Sequence, residues 1–309
     1  MPENVTCIIC HQPTNLIEEK TYQSKQYEIC HCRQCDLKFY RHIEKTPTEY
    51  YRCLYGNWNV EGISLRGLAW GHHQALRLAK KHGKTSLLDI GCAEGLFIKE
   101  AARKGLRASG IDINPELIKI ARQTYGLETA SCLNLEDLEG KFDMITMIDV
   151  LEHLHNPGEY INQMKKNLNK NGFVFVGLPN PGCHPQFLPI DGDLPPHHLT
   201  WWSKKSLFYL FQSNDYEVLE YQTQKVDPKD MAVWFDHLLG SRFKGFKNNK
   251  QLIQKIALES ENKRLKKSLY WLKKCELELL AAAFCLPAAI LTFSGSIGNA
   301  HYILAQKKN

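Results

Sequence analysis

Two cysteine pairs open the chain: Cys7 and Cys10 in CIIC, and Cys32 and Cys35 in CHCRQC, with 21 residues between the pairs. Each CxxC turn brings two sulfurs to one point, and two such turns suit four thiolates around a tetrahedral zinc ion. Cys30 and His31 stand beside the second pair, and either offers a replacement for Cys32. Cys32 is preferred because it completes the second CxxC. The competing reading is a set of buried free thiols. That reading leaves residues 1–41, too short to bury a core of their own, without the staple such a segment needs.

Further along, polar side chains gather where apolar runs end. LLDIGCAEG places Asp89, Gly91, Cys92, Ala93 and Gly95 in a turn after such a run, and Asp112 ends the next run, 21 residues beyond Gly91. The backbone N–H groups of a turn like this, with the N-terminus of the helix that follows, can meet a nucleotide-like ligand, and an acid at the Asp112 position can take up ribose hydroxyls. No basic residue stands in the turn to favour a diphosphate, whereas Asp89 suits a ligand with an amino group or positive charge. The pattern GxAxG alone also fits a turn that is merely structural. A third stretch is PPHHLTWWS, residues 195–203. His198 there is a candidate base or substrate contact, since imidazole takes protons near neutral pH. Its other reading is a brace for the loop. A metal site made by His197 and His198 together is not expected, because neighbours in an extended segment point to opposite sides.

Positioning these groups requires strands and helices in alternation. SLLDIG, RASGIDI, LETASC, FDMITMIDV, GFVFVGLPN and EVLEYQTQ read as strands, the fourth and fifth apolar enough to be buried on both faces. Between them LFIKEAARKG, PELIKIARQTYG, EYINQMKKNLNKNG and SKKSLFYLFQSNDY have helical spacing, with Pro115 at a first position, glycine stops, and Ser203 as a cap. The pattern predicts an α/β fold, a doubly wound and mostly parallel sheet over residues 85–226. A zinc knuckle over 1–41 and a helical connector over 42–84 precede it. A Lys-rich helical insertion over 227–296 and a final strand over 297–309 follow.

LLDIGCAEGLFIKEA, GIDINPELIKIAR, FDMITMIDVLEHLHNP and NKNGFVFVGLPN, in this order and at these intervals, resemble the successive motifs of class I S-adenosylmethionine-dependent methyltransferases. The CxxC pairs followed by DLKFY are similar to the zinc-binding segment of a bacterial subgroup of those enzymes. The resemblance implies a Rossmann-like core in which Asp89, Gly91, Cys92, Ala93 and Gly95 enclose the methionine part of the cofactor. Asp112 would hold its ribose, and Ile113 and the Leu133–Asn134 region would flank its adenine. Asp149 would stand at the mouth where substrate meets cofactor. Ala93 replaces the commoner glycine, and the acid that usually follows the third strand is not obvious in SCLNLED, so Asn134 is assigned by position. Asp149, Glu152 and His153 also have a spacing similar to that of ubiquinone-pathway O-methyltransferases, in which such positions hold a divalent cation. Carboxylates and imidazole on one turn can do so; the other reading is that Glu152 and His153 orient the helix. His198 and His153 are the candidate catalytic residues. The acceptor implied is a small molecule, a sugar or a lipid-linked intermediate. Two alternatives are an RNA or protein methyltransferase that grips its substrate with the zinc knuckle, and a non-catalytic protein that keeps the cofactor fold.

Composition agrees with a globular protein of this size. The 309 residues are 43% hydrophobic and 23% charged, enough for one large domain and a small one. Five of the eleven cysteines lie in the first 35 residues, and no secretory signal precedes them, so a cytoplasmic location and metal ligation are expected rather than a disulfide framework. The net charge is +6, yet residues 221–309 hold 15 Lys and Arg against 7 Asp and Glu, a local excess of +8 that leaves −2 for the rest. Lys263, Arg264, Lys266, Lys267, Lys273 and Lys274 precede an uncharged run of 15 residues, 279–293, that is shorter than a membrane span needs. Together they suit peripheral contact with an anionic membrane surface. A solvated helical face is the plainer reading. A nucleic-acid partner is not expected, because basic and aromatic residues are not interleaved there.

Overall fold

Between its two cysteine pairs the chain turns back on itself. Asn15–Tyr22 (β1) and Lys25–His31 (β2) pair antiparallel, and Lys38–Tyr40 (β3) extends the sheet with Ile29 opposite Tyr40. In this computed structural model the residues described are 5–22, 25–43, 47, 49–50, 67–182, 195, 197–226 and 298–308. The Lys-rich insertion, the uncharged run and most of the connector between 44 and 66 lie outside them. Residues 1–181, 190–222 and 300–309 form one compact unit, and residues 182–189 and 223–299 form a second, nearly all of it outside the described residues.

The first unit is built on alternating strands and helices. After helix α1 (Trp70–Lys81) come β4 (Ser86–Ile90), α2 (Leu96–Arg103), β5 (Arg107–Ile111), α3 (Pro115–Tyr125), β6 (Ala130–Ser131) and β7 (Phe142–Ile148). The chain continues through α4 (Pro157–Gln163), β8 (Leu168–Pro179), β9 (Thr200–Trp201), α5 (Lys204–Ser213), β10 (Tyr216–Thr223) and β11 (Ala300–Lys307). Seven strands form one sheet in the order β10-β11-β8-β7-β4-β5-β6. The pairs β4 with β5, β4 with β7, β5 with β6, and β7 with β8 are parallel, and β11 runs antiparallel to β8.

Strand periodicity explains why these strands are apolar at nearly every position. Successive side chains leave opposite faces, and both faces are covered by helices. Leu88, Ile90, Ile145, Met147, Val174 and Val176 pack on one side with Leu207, Leu210 and Phe211 of α5. Leu87, Met144, Phe175 and Leu304 pack on the other with Leu78 and Ala79 of α1, Phe97 and Ile98 of α2, and Ile118 and Ala121 of α3. The helix starts follow their capping residues: the Asn114 side chain accepts from the Glu116 N–H at 3.0 Å, and Ser203 and Ser206 form a reciprocal box at the start of α5.

Three elements differ from their expected extents. The helix expected to run to the glycine at 172 ends at Gln163, with a 3₁₀ turn over Met164–Asn167. The buried Asn167 side chain donates to the carbonyls of Leu138 and Gly140, and Leu168 already pairs with Phe142, so the chain is committed to the sheet four residues early. The weak strand LETASC shortens to the two residues of β6. The N-terminal sheet also has a fourth strand from far along the chain: β9 pairs antiparallel with β3, Lys38 opposite Trp201 and Phe39 opposite Thr200. No helix among the described residues is long and apolar enough to cross a membrane.

Candidate functional site

A cavity of about 680 Å³ opens at the C-terminal ends of β4, β5 and β7, where an open parallel sheet presents its binding crevice. The turn after β4 forms its floor. Gly91 adopts φ +76°, and a Cβ there would stand 2.4 Å from Val150 Cγ2, so only glycine lets the turn lie against the segment after β7. Its N–H and that of Cys92 both donate to the Ile111 carbonyl, at 2.8 and 3.1 Å, which ties the turn to β5. We expect Gly91→Ala to cost about 2–4 kcal/mol, from left-handed backbone strain and overpacking against Val150. Denaturant unfolding of the two proteins checks this.

Asp112 joins the two loops that face the cavity. One carboxylate oxygen accepts from the Ala93 N–H at 2.9 Å and the other from the Asn114 N–H at 2.8 Å. Burial raises its pKa against these hydrogen bonds. Asp89, 3% exposed, accepts from the Thr146 hydroxyl at 2.7 Å, and burial holds its carboxyl up at about 7, with the neighbouring Asp112 adding to the effect. Ile113 and Leu133, 41% and 39% exposed, present large apolar surfaces to the cavity. This is the lining a flat heteroaromatic ring would bury.

Of the residues expected at a cofactor, Asp89, Gly91, Cys92, Ala93, Asp112, Ile113, Asn134 and Asp149 all line this cavity. Gly95 does not. It caps α2 at φ +82°, and a Cβ there would meet Leu127 Cδ1 at 2.6 Å, so it serves helix packing behind the wall. His72 and Tyr160 also line the cavity, although no motif in the sequence marks them. His72 lies against Phe97 with ring centroids 4.8 Å apart, and burial lowers its pKa to about 4, keeping it neutral.

Of the histidines expected at the reaction, His153 lines this cavity, whereas His198 lines a small pocket beside it with Glu152 and Asn180. Asp149 faces the cavity at φ +54°, and the surrounding protein raises its carboxyl to about 6 by desolvation, opposed by the charge of His198. Asp149, Glu152 and His153 do not converge as a set of ligands: among the described residues the two groups with metal-site spacing are the four cysteines and His153, His197 and His198. His153 lines the large cavity and the 2% exposed Glu152 a small pocket beside Asn180 and Trp201, with the Glu152 carboxylate 3.9 Å from His153 Nε2. His197 and His198, expected to diverge, stack instead with centroids 4.9 Å apart and planes 18° apart.

The N-terminal sheet holds this loop in place. Tyr40 N–H donates to the Leu199 carbonyl at 2.9 Å, and Leu199 N–H donates to the Glu152 carbonyl at 2.8 Å. The Ser203 hydroxyl donates to the Asp36 carbonyl at 3.3 Å. Trp202, 1% exposed, packs in the same apolar cluster as Leu37, Phe39 and the cysteines. Cys7 and Cys35 sulfurs lie 3.5 Å apart, and Cys10 and Cys32 sulfurs 3.3 Å. Cys30 and His31 stand apart from the cluster: Cys30 pairs within the sheet with Phe39, and His31 Nε2 meets Asp36 at 2.7 Å. Tetrahedral zinc with sulfur ligands requires sulfurs about 3.8 Å apart, so the four side chains fit with a few tenths of an ångström of expansion. The hydrogen bond between Cys7 and Cys35 pulls the Cys7 thiol down and pushes the Cys35 thiol up.

Residues 68–221 match the family model described as a methyltransferase domain. A ubiquinone biosynthesis O-methyltransferase from Xanthomonas oryzae pv. oryzae is 35% identical over 103 residues, 30% of this chain and 43% of that protein. The mitochondrial ubiquinone biosynthesis O-methyltransferase of Saccharomyces cerevisiae is 25% identical over 174 residues, 53% of this chain and 51% of that one. The chain thus spans about half the length of these curated relatives or less. Among solved structures, a SAM-dependent methyltransferase from Archaeoglobus fulgidus superposes with a TM-score of 0.47 at 15% identity, covering 84% of this chain and all of that one.

Proposed function

We propose that this protein, whose residues 68–221 match the family model of a methyltransferase domain, is a class I S-adenosylmethionine-dependent methyltransferase and transfers the methyl group of S-adenosylmethionine to an oxygen of a small-molecule acceptor. The observation that carries this reading is one cavity lined by both kinds of group the reaction needs. At one end are the glycine turn, Asp89, Asp112 and the apolar pair Ile113 and Leu133; at the other are Asp149 and His153, with His198 beside them. The Asp89 carboxylate suits the ammonium of the methionine part, and Asp112 the ribose hydroxyls. Asn134 stands where the adenine edge would lie. The names of the curated relatives support oxygen as the acceptor atom.

In an in-line transfer the acceptor oxygen attacks the methyl carbon, the sulfur leaves with the bonding electrons, and the acceptor's proton passes to the protein. Alignment at about 3 Å supplies most of the acceleration. The proton has a receptor in Asp149, which lines the cavity and whose carboxyl burial raises to about 6 against the pull of the neighbouring His198. His153 has a different part: burial first, then its histidine neighbours, keep it neutral with a pKa of about 3, and its Nδ1–H donates to the His197 carbonyl at 2.5 Å. It therefore positions the loop. The four cysteines hold a structural zinc ion in this reading, the arrangement of the zinc-bearing subgroup. Asp149, Glu152 and His153 have no shared cation in it, because among the described residues the three are not a group with metal-site spacing.

Incubating the protein with methyl-labelled S-adenosylmethionine and fractionated cell extract tests the proposal. Label is expected in a small-molecule fraction, and His198→Ala is expected to lower its incorporation about 100-fold or more while leaving S-adenosylmethionine affinity within about twofold. Label in RNA or protein alone would assign the site to a macromolecular substrate. No label in any fraction would contradict transfer.

A further inference from the structure

The structure brings together three imidazoles that no sequence spacing connects, and we propose that His153, His197 and His198 form a second metal site, for a divalent transition ion, separate from the four thiolates. One ring nitrogen from each lies within 4.8 Å of the others. The ring centroids are 4.5 Å apart for His153 and His197, 5.0 Å for His153 and His198, and 4.9 Å for His197 and His198. Three nitrogens at about 2.0–2.1 Å from one ion stand roughly 3.3–3.6 Å apart. The cluster needs only small side-chain rotations to reach that spacing.

Two further features are those of a built site. A backbone carbonyl can only accept a hydrogen bond, so the contact from His153 Nδ1 to the His197 carbonyl is a donated one that orients the ring. Metal-binding histidines are commonly oriented by donating their other ring N–H in this way. Glu152 supplies the second feature. Its carboxylate, 2% exposed, lies 3.9 Å from His153 Nε2 and 4.0 Å from His198 Nε2, close enough to balance part of the charge of a cation held by neutral imidazoles. The donor type selects the ion: imidazole suits zinc, iron, cobalt and nickel, whereas magnesium and calcium prefer oxygen.

Three protein ligands leave a coordination position open, and His153 borders the large cavity. An oxygen ligand there would bind in ionised form at neutral pH. In the methyl-transfer reading that ligand is the acceptor, and Asp149 on the same wall receives its proton. This last role rests on the proposed function; the metal site itself does not.

Cobalt(II) alone tests the site, added to tag-free, chelator-treated full-length protein. Two equivalents are expected to bind, one showing sulfur-to-cobalt charge-transfer absorption and one without it. His197→Ala is expected to weaken the second equivalent about 100-fold or more and to leave the charge-transfer band unchanged. Because β9 pairs with β3, that band also reports that the loop and the N-terminal sheet are folded. A single equivalent bound by the wild-type protein, or a second equivalent of undiminished affinity in His197→Ala with the band intact, would overturn the assignment. S-adenosylmethionine affinity in the same samples separates this outcome from failure of the cofactor site.

Discussion

Asp89→Asn stabilises the protein without cofactor above pH 7 and weakens its hold on S-adenosylmethionine. The carboxyl titrates near 7 in the folded protein against 3.8 for the free side chain, chiefly because burial disfavours the charge. Between those values the folded state keeps a proton that the unfolded state has lost. Stability therefore falls as pH rises from 4 to 7 and is level above that. The fall amounts to roughly 3–4 kcal/mol, which an uncharged amide of the same shape avoids, since its carbonyl still accepts from the Thr146 hydroxyl. Urea unfolding at pH 5 and pH 8 should show a large fall for the wild type and little change for the variant. A group kept at such a cost to the empty protein is one that a cationic ligand repays on binding.

The second large effect belongs to the zinc ion proposed for the four thiolates, and follows its removal. With chelation, or with Cys35→Ser, the sheet of β1, β2 and β3 loses the centre of its apolar cluster, and with it the partner of β9. Structural zinc contributes on the order of 10 kcal/mol to folding in isolated knuckles. Hydrogen exchange reads the consequence. The amides of Tyr40 and Leu199, which bond to the Leu199 and Glu152 carbonyls, should lose about 100-fold or more of their protection. S-adenosylmethionine affinity should stay within about threefold, because Gly91 and Cys92 are tied to the Ile111 carbonyl and Asp112 to the Ala93 and Asn114 N–H groups, all within the large sheet and its loops. Unchanged protection at both amides in the metal-free protein would show that the knuckle does not hold the loop.

What can be read in the sequence is whatever is local. The run from β4 through α3 announces itself by two apolar strands, a glycine turn, an Asn114 cap and an acid at Asp112, all within 40 residues, and the structure puts these groups around one cavity. The cysteine pairs are local in the same sense, and the fold selects Cys32 over Cys30 by using Cys30 as a strand residue. The histidine cluster is only half legible. His153 and His198 stand out by their positions, but the alternation rule for extended chain sets His197 aside. That rule holds within a pleated strand, and the regular strand here begins at Thr200, so nothing forces the two rings apart. Nor does any local signal show that a two-residue strand at 200–201 pairs with Lys38 and Phe39, about 160 residues earlier. Spacing groups Glu152 with Asp149 and His153, whereas the fold lines a small pocket with Glu152 and sets its carboxylate beside the rings of His153 and His198.

Everything proposed for methyl transfer depends on the cavity beside Gly91 and Asp112 being an S-adenosylmethionine site. Calorimetric titration of S-adenosylmethionine into the wild type and Asp89→Asn between pH 6 and pH 7.5 reads this without any acceptor. The wild type should bind one equivalent, with affinity rising up to about tenfold per pH unit as Asp89 ionises toward pH 7. The variant should bind about 100-fold more weakly at the upper pH, with no such slope. Absence of binding by the wild type, or equal affinity in the two proteins at every pH, would contradict the assignment.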